Sequence, residues 1–405
     1  MSKKTGGIFA FLGLLGVSVF LLSCGTKVSR SSGLLFVTSQ GANLVSSYAV
    51  NLSSGNLSLL KATASTCAAA ACGFPLNILL DPTNATAFVL NQGVPSSAVV
   101  PSIYGYTVNS DGSLTGAGDV TTALSVFTPG DMALAMARDA AGKFLFVVTQ
   151  EAQLIVLGAQ PGSTSLSVVG QTTLTRTPTS VAVITFTPPG STTAETLLYV
   201  TGNKDLVGSN DNTVSEFSVD SSGTVEEKIG SPYVTGTDPG AVLAFDTNPA
   251  GANTGGLFVY VTNQSTNNVS VFQVCIFENG TCAAQDVTNA TMSAVGSPVT
   301  VGQTPISLTA DPTNNFLYVV SEASNQVFAF RIATATGALS ALNPPSMSTG
   351  AFPVAIAMHP SGKFLYVSNN ASSNLSGFTV NTTSGALGNP ITVVSLGQPA
   401  GLVAK

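Results

Sequence analysis

A proline, a short apolar run, a turn and an aromatic-rich strand recur along this chain at an interval near 50 residues. The clearest copy is Pro353-Val-Ala-Ile-Ala-Met-His-Pro-Ser-Gly-Lys-Phe-Leu-Tyr-Val-Ser-Asn369, and its neighbour reads Pro305-Ile-Ser-Leu-Thr-Ala-Asp-Pro-Thr-Asn-Asn-Phe-Leu-Tyr-Val-Val-Ser321. Looser copies begin at Pro75, Pro129, Pro178 and Pro239, and the lead proline returns at Pro399, with intervals of 54, 49, 61, 66, 48 and 46 residues. Four short strand signals per unit at this period specify an all-β fold, the β-propeller, because a lone four-stranded blade must stack on neighbours to bury its faces. Blades close into one ring, so 405 residues make one repeat domain rather than the two or three that length alone suggests. Only 8% of residues are charged, yet 21 Phe and many Val and Leu supply a packed core.

The repeat count predicts how the ring closes. Strand-B runs lie at 34–38, 86–90, 144–149, 197–201, 257–262, 316–320 and 364–368, which makes seven blades. The first run has no proline-led strand A before it, and the last proline-led segment, 398–405, has no strand B after it. The two halves complete one blade, hiding the sheet edges that an open array exposes. In the last full blade the strands are expected at 353–358, 364–369, 374–380 and 391–396, separated by turn-forming residues.

Residues 1–23 read as a targeting segment, with Lys3 and Lys4 ahead of an apolar stretch at 8–22 that is short for a membrane span. Leu21-Leu-Ser-Cys24 resembles the bacterial lipobox, which implies cleavage before Cys24 and its acylation; a plain signal peptide or a span are the alternatives. Residues 24–33 then form a lipidated cysteine and polar tether, and 34–405 the propeller, held at a bacterial cell envelope on its periplasmic or outer side. Without residues 1–23 the chain keeps 11 basic and 19 acidic side chains, an acidic balance unsuited to nucleic acid. The other cysteines form two close pairs, Cys67/Cys72 and Cys275/Cys282, and local disulfides are expected in an exported protein. Neither pair has a nearby His, so no metal site is expected, and no cofactor motif appears.

The pattern resembles the lactonase-type seven-bladed propellers, the family of the bacterial propeller 6-phosphogluconolactonase, from about residue 34 onward, most strongly at 359–369. Phe258-Val-Tyr-Val-Thr-Asn263 also resembles the Tyr-Val-Thr-Asn repeat propellers of microbial surfaces. The resemblance implies the fold and a lactone hydrolase, although function sits in the site rather than the fold.

Aligning the repeats puts Asp81, Asp139, Asp311 and the single His359 at one place, with Asp246 close to it in a longer turn. Repetition in several blades marks these as turn caps rather than as a general base. Lys143 and Lys363 are read as solvated turn residues by the same logic. Chemistry in a propeller belongs at the channel mouth, where the loops carry Asp131, Glu151, Arg176, Lys204, Asp205, Asp238, Asn263 and Glu322. Glu151 or Glu322 is the candidate base for water and Arg176 its electrostatic partner, the remainder being binding candidates. A phosphosugar needs clustered cations, yet of Arg30, Arg138, Arg176 and Arg331 only one falls in a mouth loop. The oxygen-rich segment 203–212 has no EF-hand-like spacing and is read as a loop rather than a calcium site. Two functions therefore stand: an envelope module binding a protein or glycan, and a lactonase acting on a sugar lactone, with the dispersed charges favouring the first.

Overall fold

The computed structural model describes residues 33–405 apart from 66–72, 96–98, 122–123, 189–190, 206–209, 248–255, 276–290 and 395–396. Cys24, Cys67, Cys72 and Cys282 lie outside the described residues, as do the leader and most of the tether, and only the backbone of Cys275 is described. The described strands form seven antiparallel sheets of four or five strands, and there is no α-helix among the described residues. Strand A of blades 1 to 7 is, in order, Pro399–Ala404, Pro75–Leu80, Ala133–Arg138, Arg176–Phe186, Pro239–Asp246, Pro305–Ala310 and Pro353–Met358. Strand B is Gly33–Ser39, Thr86–Asn91, Phe144–Thr149, Glu195–Asp205, Leu257–Asn263, Phe316–Ser321 and Phe364–Asn369. The A strands follow one another around a central channel, and that of blade 1 lies between those of blades 7 and 2.

Ring closure takes the expected form. Pro399–Ala404 pairs antiparallel with Gly33–Ser39, and Leu34 and Lys405 exchange backbone hydrogen bonds of 2.9 and 2.8 Å. The last blade has its strands at 353–358, 364–369 and 374–380 as expected; its outer strand is Leu387–Val394, starting four residues early.

The recurring proline has a geometric reason. Strand A begins at Pro75, Pro239, Pro305, Pro353 and Pro399, each followed by a register shift against strand B, and Pro178 has shifts on both sides. Proline suits the first position of a strand that opens on a bulge, since its missing N–H leaves no broken ladder bond there. In blade 3 the equivalent residue is Ala133, not Pro129, which sits in the preceding turn. The Ala133 N–H donates to the Gln92 carbonyl of blade 2 at 2.9 Å, a bond that proline cannot make.

The central residues of every strand B are buried, and a residue of each strand A plugs the space between blades, the fourth counted from the lead position, which in blade 4 is Pro178: Leu402, Ile78, Met136, Val181, Val242, Leu308 and Ile356. Neighbouring blades are also latched. Tyr260, Tyr318 and Tyr366 donate their phenols to the carbonyls of Gly337, Gly385 and Gly55, each in the next blade, at 2.8, 2.8 and 2.9 Å. These glycines have φ of 72, 75 and 76°, and a Cβ on any of them lands 2.2–2.5 Å from Phe258, Phe316 or Phe364. Only glycine fits, for both reasons. The seam between blades 7 and 1 is therefore built like the interior seams.

At the same end of the ring, here the floor, the A–B turns are capped. Asp311 Oδ1 accepts from the Phe316 and Asn315 N–H groups at 2.7 and 2.8 Å, and Asp81 and Asp139 accept from Thr86 and Phe144 at 2.7 and 2.6 Å. His359 does the same work through Nδ1, which accepts the Ser361 N–H at 3.1 Å, and burial pushes its pKa down. In blade 5 the cap is Thr247 rather than Asp246: its hydroxyl accepts from the Gly256 N–H at 2.9 Å and donates to the Thr334 carbonyl at 2.7 Å.

Candidate functional site

The channel holds a cavity of about 520 Å³ walled by the A strands, with Ile78, Leu134, Ala241, Ile306, Val354 and Leu402 among its lining. No ionisable side chain stands among its described lining residues; polar groups come from Asn77, Thr179, Ser180, Ser307 and, at one end, Gln40, Gln264 and Asn370. Asn77 Oδ1 is buried and meets no donor among the described residues.

That end is the mouth, opposite the capped floor. The residue immediately after strand B is Gln40, Gln92, Gln150, Gln264, Glu322 and Asn370 in blades 1, 2, 3, 5, 6 and 7; in blade 4, whose strand B runs on to Asp205, the residue in the same register is Asn203. In six of the blades its backbone N–H donates to the carbonyl of the residue just ahead of strand A, at 2.8–2.9 Å. The mouth is thus ringed by six carboxamides and one carboxylate. Glu322 is half-buried, and burial pushes its carboxyl pKa up. It belongs to blade 6, between the two blades that contribute Gln264 and Asn370 to the cavity.

The residues just ahead of strand A form a second ring: Gln398, Phe74, Met132, Asp238, Thr304 and Phe352 for blades 1, 2, 3, 5, 6 and 7, with Thr177, ahead of Pro178, as the equivalent in blade 4, where strand A starts earlier at Arg176. Asp238, Thr304 and Phe352 have φ of 61, 54 and 57°, an unfavourable conformation for a residue that also precedes proline. Each is pinned from the preceding blade, its N–H donating to Oδ1 of Asn212, Asn267 and Asn325 at 2.8, 2.9 and 2.8 Å. The rim is therefore preorganised by backbone bonds, leaving these side chains to vary. Asn203 Nδ2 donates to Asp238 Oδ1 at 3.0 Å, and a polar recess of about 370 Å³ opens beside it, lined by Asp238, Gln264, Ser265, Asn267, Gln303 and Thr304.

The charged residues singled out from sequence are not gathered here. Glu151 is exposed on blade 3, and its N–H donates to Asp131. Asp131 is itself buried, its Oδ1 accepting from Met132 and Glu151 at 2.7 and 3.1 Å, which is a capping role. Arg176 is the first residue of strand A in blade 4 rather than part of the loop, with its backbone opposite Asp205 and its Nη1 donating to Thr175 at 2.8 Å. A groove of about 90 Å³ beside it is lined by Glu227 and includes neither Glu151 nor Glu322. Lys204 is exposed, and the side chain of Asp205 is outside the described residues, as is part of the 203–212 segment. Asn263 is fully buried inside blade 5, its amide donating to Asn268 and Ser270 at 2.7 and 2.9 Å; the mouth position belongs to its neighbour Gln264. Of the acids singled out from sequence whose side chains are described, Glu322 and Asp238 occupy the two rings of the mouth. The amide ring was missed because a search for ions passes over Gln and Asn, yet aligning the repeats on the end of strand B exposes it.

One further carboxylate is buried away from the mouth. Glu216, in strand C of blade 4 (Asn210–Val219), is fully enclosed; Tyr199 donates to its Oε1 at 3.1 Å, and Oε2 meets no donor among the described residues.

The family model described as "Lactonase, 7-bladed beta-propeller" matches residues 211–347 and 243–403. No curated protein sequence matches the chain. Among solved structures, a periplasmic gluconolactonase of Pseudomonas aeruginosa superposes with a TM-score of 0.68 at 19% identity, covering 92% of this chain and 99% of its own. One described as a 6-phosphogluconolactonase from Bacteroides fragilis gives 0.64 at 12% identity over 93% and 98%. A Lactobacillus plantarum protein gives 0.68 at 14% over 92% and 99%. Seven closed blades make the fold a seven-bladed β-propeller, as the repeats led one to expect, and over residues 211–403 the chain is similar to the lactonase-type propellers.

Proposed function

We propose that this chain binds a neutral sugar lactone at the mouth and opens it by hydrolysis, with Glu322 as general base. The observation that carries the reading is the pairing of an uncharged, amide-edged cavity with one half-buried carboxylate, its pKa raised by burial, on the mouth ring between two of those amides, Gln264 and Asn370. Raising a carboxyl pKa towards the working pH makes its anion a stronger base. Glu322 takes a proton from water as the water oxygen bonds to the lactone carbonyl carbon. The ring C–O bond then breaks, and the proton passes to the departing ring oxygen, giving the hydroxy acid. Gln264 and Asn370 offer N–H donors to the oxygen that gains charge. The family match and the gluconolactonase among the structural neighbours support lactone chemistry, and the periplasmic location of that neighbour suits an envelope protein. The lack of cations at the cavity favours a neutral lactone over a phosphorylated one.

The test is turnover of glucono-1,5-lactone by the purified protein above the spontaneous rate, beside its 6-phospho derivative. Neutral lactone should be preferred, and Glu322→Gln should lower kcat by about 100-fold or more. Tight binding without turnover returns the site to a binding module at the envelope, the reading that the scattered Glu151, Arg176 and Lys204 favour.

A further inference from the structure

Two aromatic rings stand where the fold does not need them. Phe74 and Phe352 hold the rim position ahead of strand A in blades 2 and 7, either side of blade 1, and each is 48% exposed. Their carbonyls accept the N–H groups of Gln92 and Asn370 at 2.9 and 2.8 Å, so both sit in the same rim architecture as the other blades. The backbone does not require a phenyl there. Asp238 and Thr304 take the same left-handed conformation with the same asparagine partner as Phe352 does. An exposed phenyl makes unfavourable contact with water, and polar residues serve the position equally well.

The rim is also uneven. Thr177, Asp238 and Thr304 give blades 4 to 6 a polar arc, while Phe352, Phe74 and Met132 give blades 7, 2 and 3 an apolar one, with Gln398 between the phenylalanines. Glu322, in blade 6, lies where the polar arc meets the apolar one. The cavity of about 520 Å³ falls in the range that holds ligands of several rings rather than one six-carbon ring.

We infer that the preferred ligand is an oligosaccharide lactone: a neutral aldonolactone carrying at least one further sugar, whose lactone ring lies at Glu322 and whose next ring rests on Phe352 or Phe74. The electron-rich face of a phenyl attracts the weakly positive C–H face of a pyranose, and the surrounding amides bond its hydroxyls. This rests on the lactone reading for the reacting end only; the sugar-binding arc stands without it. A reaction that oxidises the reducing end of an oligosaccharide must supply such a lactone.

The experiment compares glucono-1,5-lactone with cellobiono-1,5-lactone in kinetics, and glucose with cellobiose in calorimetry, where nothing can react. The disaccharide forms should be preferred by about tenfold in kcat/KM and in affinity. Phe352→Ala or Phe74→Ala should erase most of that preference through KM, and Phe352→Tyr should keep it. No turnover of either lactone, with cellobiose still bound through the phenylalanines, removes the hydrolase and keeps the sugar arc. Equal handling of one and two rings by the wild type overturns the inference, and so do alanine variants that weaken both forms alike.

Discussion

The two ends of this ring are built from the same repeat and treat it in opposite ways. At the floor the blades converge: Asp81, Asp139, Thr247, Asp311 and His359 cap one turn, and Gly55, Gly337 and Gly385 receive one phenol each. At the mouth the backbone bonds repeat just as faithfully, while the side chains diverge from Asp238 to Thr304 to Phe352 at one position. A position that needs one chemistry in every blade is serving the fold. A position whose backbone is fixed and whose side chain is not is open to function, and that separates the single histidine, a floor residue, from Glu322.

The strongest way to break the comparison is to remove residues 397–405. Blade 1 then loses its inner strand, and the loss of closure should abolish cooperative folding or cause aggregation. A truncated protein that melts like the full chain would falsify ring closure. Next in size, Gly385→Ala at the floor places a Cβ against Phe316 at a φ of 75° and should cost roughly 2–4 kcal/mol in chemical denaturation. Gln398→Ala at the mouth, an exposed side chain, should stay within about 0.5 kcal/mol. Equal costs at the two ends would erase the distinction drawn between them.

The blade wall contributes a pH dependence that belongs to neither end. Burial pushes the Glu216 carboxyl from 4.5 up to about 7, against the opposing effects of the Tyr199 hydrogen bond and the Lys228 charge. Below pH 4.5 the group is protonated in both states, and its stabilising contribution is complete. As pH rises towards 7 the unfolded chain releases the proton while the native protein holds it, so stability falls by about 3 kcal/mol and levels off above pH 7. Glu216→Gln should flatten that slope in urea titrations between pH 5 and 8, whereas Glu322→Gln should change catalysis and leave most of the slope in place. A smaller effect than that of Glu216 is expected in the latches. Tyr366→Phe and Tyr318→Phe should each cost about 1–2 kcal/mol, since each leaves a glycine carbonyl without its donor. A much smaller cost for Tyr366→Phe would mark the closing seam as looser than the interior ones.

The fold was legible because its physics is written at a fixed interval. Aromatic strand-B runs bury their side chains in every blade, and the split between Leu34 and Pro399 announces how the ring closes. Pro129 misled because the position demands a bulge rather than a proline, and Ala133 meets the demand while lending its N–H to blade 2. Asp246 misled for a similar reason, since Thr247 offers a capping oxygen one residue on. The site was less legible. Glu322 and Asp238 were named for their charge, but Asn263 and Asp131 proved to be internal supports, and Gln40, Gln264 and Asn370 went unremarked because neutral amides look like ordinary surface. Glu216 sits in an alternating strand whose pattern says nothing about which face a neighbouring blade covers.

The hydrogen-bonded pair of Leu34 and Lys405 also sets a direction. Strand B of blade 1 begins at the floor, where Gly33 packs under the ring of His359, and runs towards the mouth. Whatever chain is joined at Gly33 leaves from the floor, as does anything fused to Lys405. A support attached at Lys405 therefore holds the propeller like a cup by its base, with the opening turned outward to whatever diffuses past.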